Sequence, residues 1–137
     1  MGRVVDRGGL PAAGAMALAA ALAAAPLLAQ SSELAMLNQL TKGEWNLRVR
    51  DDGSEQRLCV RDGRELIQIR HKQSGCSRFV VRDDPNEVVV QYTCRGNGYG
   101  RTSIRREGNG LVQVQSQGII DGAPFSISGE ARHSGSC

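Results

Sequence analysis

The chain has few of the residues that usually build catalytic or cofactor-binding sites. Its 137 residues include one Trp, two Tyr, two Phe and two His. No Cys-x-x-Cys redox motif and no Gly-x-Ser-x-Gly nucleophile elbow occurs in it. Two histidines are too few for a histidine-rich metal site, and this length makes one domain at most. The sequence therefore excludes multidomain enzymes and coiled coils, and it offers no motif that indicates a reaction.

The chain also lacks a strong charge of either sign. Lys and Arg number 17 against 14 Asp and Glu, for a net charge of +3. A charge this small does not indicate a nucleic-acid or membrane partner, because such partners attract strongly basic surfaces. We expect no nucleic-acid partner, and membrane contact only through the N-terminal segment if that segment remains attached.

Residues 1–29 differ in composition from the rest of the chain. They contain 11 of the 14 alanines and run from a basic start into a long apolar stretch. This pattern, ending in the small residue Ala29, is typical of a signal peptide cleaved before Gln30. An uncleaved membrane anchor is the alternative, since about 20 apolar residues suffice to cross a bilayer. The sequence predicts a periplasmic or secreted protein in which residues 30–137 form a single domain.

All four cysteines lie within residues 30–137. An even count in a small exported domain is typical of disulfides, which stabilise a domain whose core is thin. Zinc is the alternative, but structural zinc sites use close pairs such as Cys-x2-Cys. The cysteine spacings here are 17, 18 and 43 residues. We therefore expect a disulfide framework with no metal and no other cofactor.

The local pattern selects one of the three possible disulfide pairings. Two β-rich runs, 76–82 and 87–94, flank a turn sequence that contains Pro85. A hairpin centred on Pro85 places Cys76 opposite Cys94, with Cβ atoms about 4.5 to 5.5 Å apart, close to what a disulfide needs. By elimination, the other predicted disulfide joins Cys59 to Cys137.

Alternating apolar and polar residues predict that the domain is mainly β. In the first run Trp45, Leu47 and Val49 share one face. Further on, Gly108-Asn109-Gly110 is a strong hairpin signal that sets Ile104 near Val114. The pattern predicts about seven strands in a strongly twisted antiparallel meander. It leaves open whether the sheet closes, wholly or by half, into a barrel.

One or two short helices are also predicted. Ser31 or Ser32 can cap a helix that carries Leu34, Leu37 and Leu40 on one side and ends at Gly43. This helix would cover one face or end of the sheet.

A second helix is predicted over residues 62–71, because Asp62 and Glu65 have the spacing of a capping box. A strand over 66–70 fits almost equally well. In the 76–94 hairpin, Arg78 and Arg82 share a side with Val80, so the pattern does not show which side is core.

A glycine-rich segment, residues 96–100, is similar in composition to a phosphate-binding loop. Such loops join a strand to a helix, whereas here a strand-like run follows, so a wide turn or bulge is favoured. Four residues in and beside the segment remain candidate contacts for a small anion or sugar. They are Arg95, Asn97, Tyr99 and Arg101.

The two histidines and a group of six arginines are further candidates for a functional site. His71 and His133 are predicted to lie at the surface; a hydrolase would need one of them beside a Ser and a carboxylate. Six arginines would form an anion-binding patch if the sheet brought them together, although interleaved acidic residues argue against it. These six are Arg78, Arg82, Arg95, Arg101, Arg105 and Arg106.

The order and spacing of several short motifs resemble a known family. The motifs are Gly43-Glu44-Trp45, then Cys59, Cys76 and Cys94, and a final Gly135-Ser136-Cys137. Together they are similar to the bacterial family called domain of unknown function 3617. The segments LIQIRH (66–71) and QYTCRGNGYGR (91–101) look like the version in exported alphaproteobacterial members. The resemblance spans nearly all of residues 33–137 and implies a secreted or periplasmic, disulfide-bonded, mainly β domain. It brings no catalytic residues.

These features predict a non-catalytic exported domain that binds or supports a component of the bacterial envelope. One alternative is a carrier of a small hydrophobic or anionic ligand, which would need a cavity inside a barrel-like sheet. The other alternative is a hydrolase with an unrecognised site.

Overall fold

The computed structural model describes residues 33–137 and, from the N-terminal segment, Gly2, Gly8 and Gly9. The rest of the predicted signal segment, the expected cleavage point and the Ser31 or Ser32 cap lie outside the described residues. Among the described residues, no helix is long and apolar enough to span a membrane.

Seven antiparallel strands form one sheet, which confirms the predicted fold class. The strands are β1 (Gly43–Val49), β2 (Glu55–Val60), β3 (Ser77–Asp83), β4 (Glu87–Cys94), β5 (Gly98–Gly108), β6 (Leu111–Ile120) and β7 (Ala123–Gly135). Their spatial order is β2-β1-β7-β6-β5-β4-β3. Strands β3 to β7 are a meander, and the β1–β2 hairpin joins it through β1. Strands β2 and β3 are the two edges, so the sheet is open rather than closed into a barrel.

Both predicted hairpin registers are confirmed over most of their length. Ile104 pairs with Val114, and the register centred on Pro85 holds from Ser77 to Val80. A bulge between Val80 and Arg82 then shifts the pairing by one residue. A bulge of this kind turns the following side chain to the other face. As a result, Arg78 and Arg82 lie on opposite faces rather than sharing one.

Both predicted disulfides form. Cys59 bonds to Cys137 with their Cα atoms 5.8 Å apart, and Cys76 bonds to Cys94 with Cα atoms 4.3 Å apart. The first ties the end of β7 to edge strand β2, and the second joins the start of β3 to the end of β4. Two disulfides in so small a domain indicate an oxidising, extracytoplasmic compartment.

One face of the sheet, the inner face, carries the apolar core. Its buried side chains come from alternate positions of the strands, and they include Trp45, Leu47, Val88, Val90, Tyr92, Ile104, Val112, Val114, Ile127 and Ala131. Two segments, residues 33–42 and 61–76, cover this face. They bury Leu34, Met36, Leu37, Leu40, Leu66, Ile67 and Ile69 against it.

The two predicted helices are single turns of 3-10 helix, Leu37–Gln39 and Arg64–Leu66. The predicted capping box forms only in part: Asp62 accepts from the Arg64 amide and Glu65 accepts from the Arg61 amide, but the residue at the N-cap is Gly63. Beyond Ile67 the chain leaves the helical path: the Thr102 hydroxyl donates to the Ile67 carbonyl, and the His71 amide donates to the Gln68 carbonyl, three residues back. The strand alternative for 66–70 is not formed either.

The two covering segments meet at Gly63. Its φ of 82° lies in the left-handed region, which glycine adopts without strain. A Cβ atom at this position would lie 2.8 Å from the Leu37 carbonyl oxygen. Only glycine therefore allows the segments to pack this closely.

Candidate functional site

His71 lies in a buried cluster of hydrogen bonds on the inner face. Its side chain is 1% exposed, so the predicted surface position is wrong. Its Nε2 atom lies 3.1 Å from the carbonyl oxygens of Asn97 and Ile119, and its Nδ1 atom lies 3.0 Å from the Tyr92 hydroxyl. Because carbonyl oxygens only accept, Nε2 carries the proton and Nδ1 accepts from Tyr92.

Tyr92 and Thr102 extend this cluster across the sheet. Burial raises the pKa of Tyr92 more than a hydrogen bond with Ser116 lowers it, which keeps the hydroxyl protonated as a donor. Thr102 Oγ1 donates to the Ile67 carbonyl at 2.6 Å and lies 2.8 Å from Ser116 Oγ. The cluster thus fastens segment 61–76 to strands β4, β5 and β6.

Space for Tyr92 comes from its partner on β5. Tyr92 pairs with Gly100, and a Cβ atom there would overlap the tyrosine ring. The sequence contains this glycine, but it becomes a sign of a buried tyrosine only once Gly100 is known to pair with Tyr92. That pairing depends on the β4–β5 register, which the glycine-rich segment alone does not reveal.

His133 has a different environment. It is half-buried and stacks edge-on against Trp45, with ring centroids 6.1 Å apart. Among the described residues, neither histidine has a hydrogen bond to a carboxylate. The His133 ring packs against Trp45, and the His71 ring donates a hydrogen bond to backbone carbonyls.

The structure separates the four predicted contact residues into two pairs. Arg95 and Asn97 lie in the turn between β4 and β5, where Asn97 Nδ2 donates to Gln73 Oε1 at 2.8 Å. The favoured interpretation of the glycine-rich segment as a turn is confirmed there. Tyr99 and Arg101 lie in β5 two residues apart, on the outer face, and line one groove of about 410 Å³.

The six arginines do not converge on one face. Arg78 lies towards segment 61–76, where its guanidinium donates twice to Gln68 Oε1, at 2.9 and 2.7 Å. Arg106 donates to Asn86 and Asn109 in neighbouring turns. Only three of the six lie on the outer face: Arg82, Arg101 and Arg105.

A band of uncharged polar side chains surrounds Arg101 on the outer face. The register places Gln91, Arg101, Gln117 and Ser126 in one row across β4 to β7, and Ser103, Gln115 and Ser128 in the next row. Grooves of about 410, 240 and 110 Å³ open along these rows and share lining residues. From Tyr99 to Arg105 the surface extends for about 20 Å at about 3.4 Å per residue.

At one end of the outer face the polar groups are bonded to one another. Gln113 Nε2 donates to Glu130 at 3.0 Å, and Arg82 pairs with Glu87 at 2.7 Å. These contacts lower pKa values: that of Glu130 through the bonds from Gln113 and Arg132, and that of Glu87 through the bond from Arg82. Arg105 belongs to the same end and pairs with Glu107 at 3.2 Å.

At the other end the polar groups have no such partners. We call these side chains the open band: Gln91, Tyr99, Arg101, Gln115, Gln117 and Ser126. Within the part of the chain that the structure describes, none of the six makes a hydrogen bond or an ion pair through its side chain. The open band therefore offers donors and acceptors to a ligand without first breaking internal contacts.

A larger groove of about 550 Å³ lies between β2 and segment 61–76. Some of its polar groups are engaged, since Arg64 pairs with Asp62 at 3.5 Å and Gln68 accepts from Arg78. Gln56, Arg57 and Lys72 also line it, and among the described residues their side chains form no hydrogen bond or ion pair. This groove is a seam where the covering segment meets the edge of the sheet.

Comparison of the chain with protein-family models, curated proteins and solved structures finds no match. The resemblance to the domain of unknown function 3617 family stays a prediction.

Proposed function

We propose that this chain is a non-catalytic binding protein of the bacterial periplasm and that the open band is its binding surface. The observation that carries the proposal is the contrast within the outer face. One end is cross-linked by ion pairs, whereas the six neighbouring polar side chains of the open band form no bonds with any other residue that the structure describes. A functional surface of this kind is most accurate on a rigid scaffold, and the open band lies on strands β4 to β7.

The covalent framework supports the proposed compartment. Both disulfides require oxidising conditions to form and persist. The predicted signal peptide would deliver the chain to such a compartment.

The packing of the inner face favours the open band, rather than an internal hydrophobic cavity, as the binding site. Seven apolar side chains of segments 33–42 and 61–76 fill that face, as a close-packed interior requires. A hydrophobic cargo would have to displace the protein's own core. The outer face needs no such rearrangement.

Co-sedimentation with isolated bacterial envelopes tests the proposal. We expect the exported protein to sediment with envelopes and Arg101→Ala to weaken this binding about tenfold, since a hydrogen bond to a charged group is worth about 1.5 to 3 kcal/mol. The matched control is Arg105→Ala, which removes the same charge from the same face of β5. Binding that is absent in the wild type, or reduced equally by both variants, would contradict the proposal.

A further inference from the structure

We infer that the open band binds an acidic glycan, with Arg101 contacting a carboxylate and the neighbouring amides and Tyr99 contacting the sugars. This inference rests on the proposed function and names the class of ligand. Four features of the band carry it: the chemistry of its side chains, its single charge, its aromatic residue and its place in the sheet.

The side chains of the open band match the hydrogen bonding of sugar hydroxyls. A hydroxyl both donates and accepts, and so does the amide of a glutamine. Three such amides lie around Arg101, those of Gln91, Gln115 and Gln117, with the Ser126 hydroxyl beside them. A ligand rich in hydroxyls would satisfy these groups, whereas an apolar ligand would leave them unpaired at a cost of about 1 to 3 kcal/mol each.

Arg101 adds one positive charge in the middle of these neutral groups. Its partners across the neighbouring strands are Gln91 and Gln117, and among the described residues it forms no ion pair. A guanidinium binds a carboxylate through two parallel hydrogen bonds. A single cation suits a glycan with spaced carboxylates. It is too little charge for a nucleic acid, which is bound through many phosphate contacts.

Tyr99 supplies an exposed ring beside Arg101. Tyr99 is 50% exposed and lines the same groove as Arg101 and Gln117. An exposed tyrosine presents an apolar face together with a polar tip. One face of a sugar ring can therefore pack on Tyr99 while the sugar hydroxyls bond to the neighbouring amides.

The position of the open band argues against an extended peptide as the ligand. Peptides that bind sheets add a strand to an exposed edge through backbone hydrogen bonds. The open band lies on β4 to β7, whose backbone groups already pair with strands on both sides. Recognition there has to come from side chains. From Tyr99 to the row of Gln115 the open band extends for about 14 Å along the strands, which admits more than one sugar unit.

Calorimetric titration with oligogalacturonate, and with its fully methyl-esterified form as the uncharged control, tests this inference. Hyaluronate oligosaccharides serve as a second acidic probe. We expect the wild type to bind at least one acidic probe, and the esterified form to bind at least tenfold more weakly than oligogalacturonate if that probe binds. We expect Arg101→Ala to lose at least tenfold in affinity, Tyr99→Ala to lose severalfold, and Arg105→Ala to bind like the wild type. Thermal melting of each variant shows whether the fold is intact.

The outcomes separate the ligand class from the proposed function. Absence of binding to both acidic probes, or equal loss in Arg101→Ala and Arg105→Ala, would overturn the acidic glycan. Envelope binding that still depends on Arg101 would then leave the proposed function standing with another ligand. If the protein binds neither acidic probe and its binding to envelopes does not depend on Arg101, both proposals are contradicted.

Discussion

The two faces of the sheet are formed by the same strands but differ in polarity and in exposure to solvent. The inner face is apolar and is covered by two segments of the chain itself, whereas the outer face is polar and open to solvent. Val114 and Gln115 are successive residues of β6, yet the first is fully buried and the second is exposed. Stability is therefore concentrated on one face, which leaves the other free to carry a binding surface.

A second contrast lies within the outer face. The end around Glu87, Gln113 and Glu130 uses its polar groups in bonds to one another. The open band around Arg101 does not. Composition does not distinguish the two ends, since both hold Arg and Gln. The distribution of acidic residues does, because the open band contains none.

Removal of the Cys59–Cys137 disulfide should destabilise the protein most. On the loop-entropy account, a bridge across 78 residues contributes about 4.5 kcal/mol, and one across 18 residues contributes about 3 kcal/mol. Urea denaturation of Cys59→Ala/Cys137→Ala and of Cys76→Ala/Cys94→Ala measures both losses. A larger loss in the second pair would show that the packing of buried Cys94 on the inner face outweighs loop length.

Truncation of Leu47 should be costly, whereas truncation of its neighbour Arg48 should not. Leu47 is fully buried on the inner face and Arg48 is exposed on the outer face of the same strand. We expect Leu47→Ala to lower the free energy of unfolding by about 2 to 5 kcal/mol and Arg48→Ala to change it by less than about 0.5 kcal/mol. Equal effects in urea denaturation would mean that the two faces do not differ in their contribution to stability.

Replacement of His71 should have an intermediate effect that depends on Tyr92. His71→Leu removes the acceptor of the Tyr92 hydroxyl and the donor to the Asn97 and Ile119 carbonyls. The hydroxyl keeps its hydrogen bond with Ser116, and the Asn97 carbonyl keeps that from the Asp121 amide, so we expect a loss of about 1 to 3 kcal/mol. Tyr92→Phe removes one of the groups that His71 bonds. We therefore expect the double variant to lose less stability than the sum of the single variants. Additive losses in urea denaturation would contradict the direct bond between the two side chains.

The pair of Arg82 and Glu87 should contribute least. A hydrogen bond from Arg82, supported by one from Ser103, lowers the pKa of Glu87. A carboxylate with a lowered folded pKa stabilises the fold above its ordinary value of about 4.3, and this contribution is lost as the pH falls through the lowered value. We expect Glu87→Gln to lose about 0.2 to 1 kcal/mol near neutral pH.

Urea denaturation at neutral and acidic pH measures the contribution of this pair. The difference between the wild type and Glu87→Gln should shrink with acid and with added salt, because the pair is partly exposed. A difference that grows on acidification would contradict the sign of the pKa shift.

Local patterns predicted the strands and the covalent framework well. The register around Pro85 depends only on a turn and on strand periodicity, so the Cys76–Cys94 bond could be derived from it. Buried Trp45 and Leu47 likewise follow from alternation. The helices were less predictable: Leu34, Leu37 and Leu40 are buried as expected, but their segment lies across the sheet with only one turn of 3-10 helix. The Leu34 amide donates to the Asp83 carboxylate, and the amides of residues 37–40 donate to carbonyls three residues back, as in 3-10 turns, rather than four back as in an α-helix.

The candidate site was likewise predictable from the sequence only in part. Tyr99 and Arg101 were identified because they lie in and beside the glycine-rich segment. Gln117 and Ser126 lie in strands about 16 and 25 residues further along the chain than Arg101 and are brought beside it by the register. The placement of His71 was missed because no local pattern shows that its ring meets the carbonyls of a distant turn, at Asn97, and of a distant strand, at Ile119. The bulge at Val81 also depends on packing, and it decided on which face Arg82 lies.

The strands, their antiparallel hairpins and the Cys76–Cys94 disulfide follow from the sequence, because they depend on periodicity and turns over short distances, and the Cys59–Cys137 disulfide then follows by elimination. The tertiary structure alone decided how segments 33–42 and 61–76 cover the inner face and which outer side chains remain without partners. Those outcomes depend on contacts between residues far apart in the chain. Whether a polar group bonds within the protein or stays available to a ligand is set by its neighbours in space, and the open band exists because the register places no acidic residue beside Arg101.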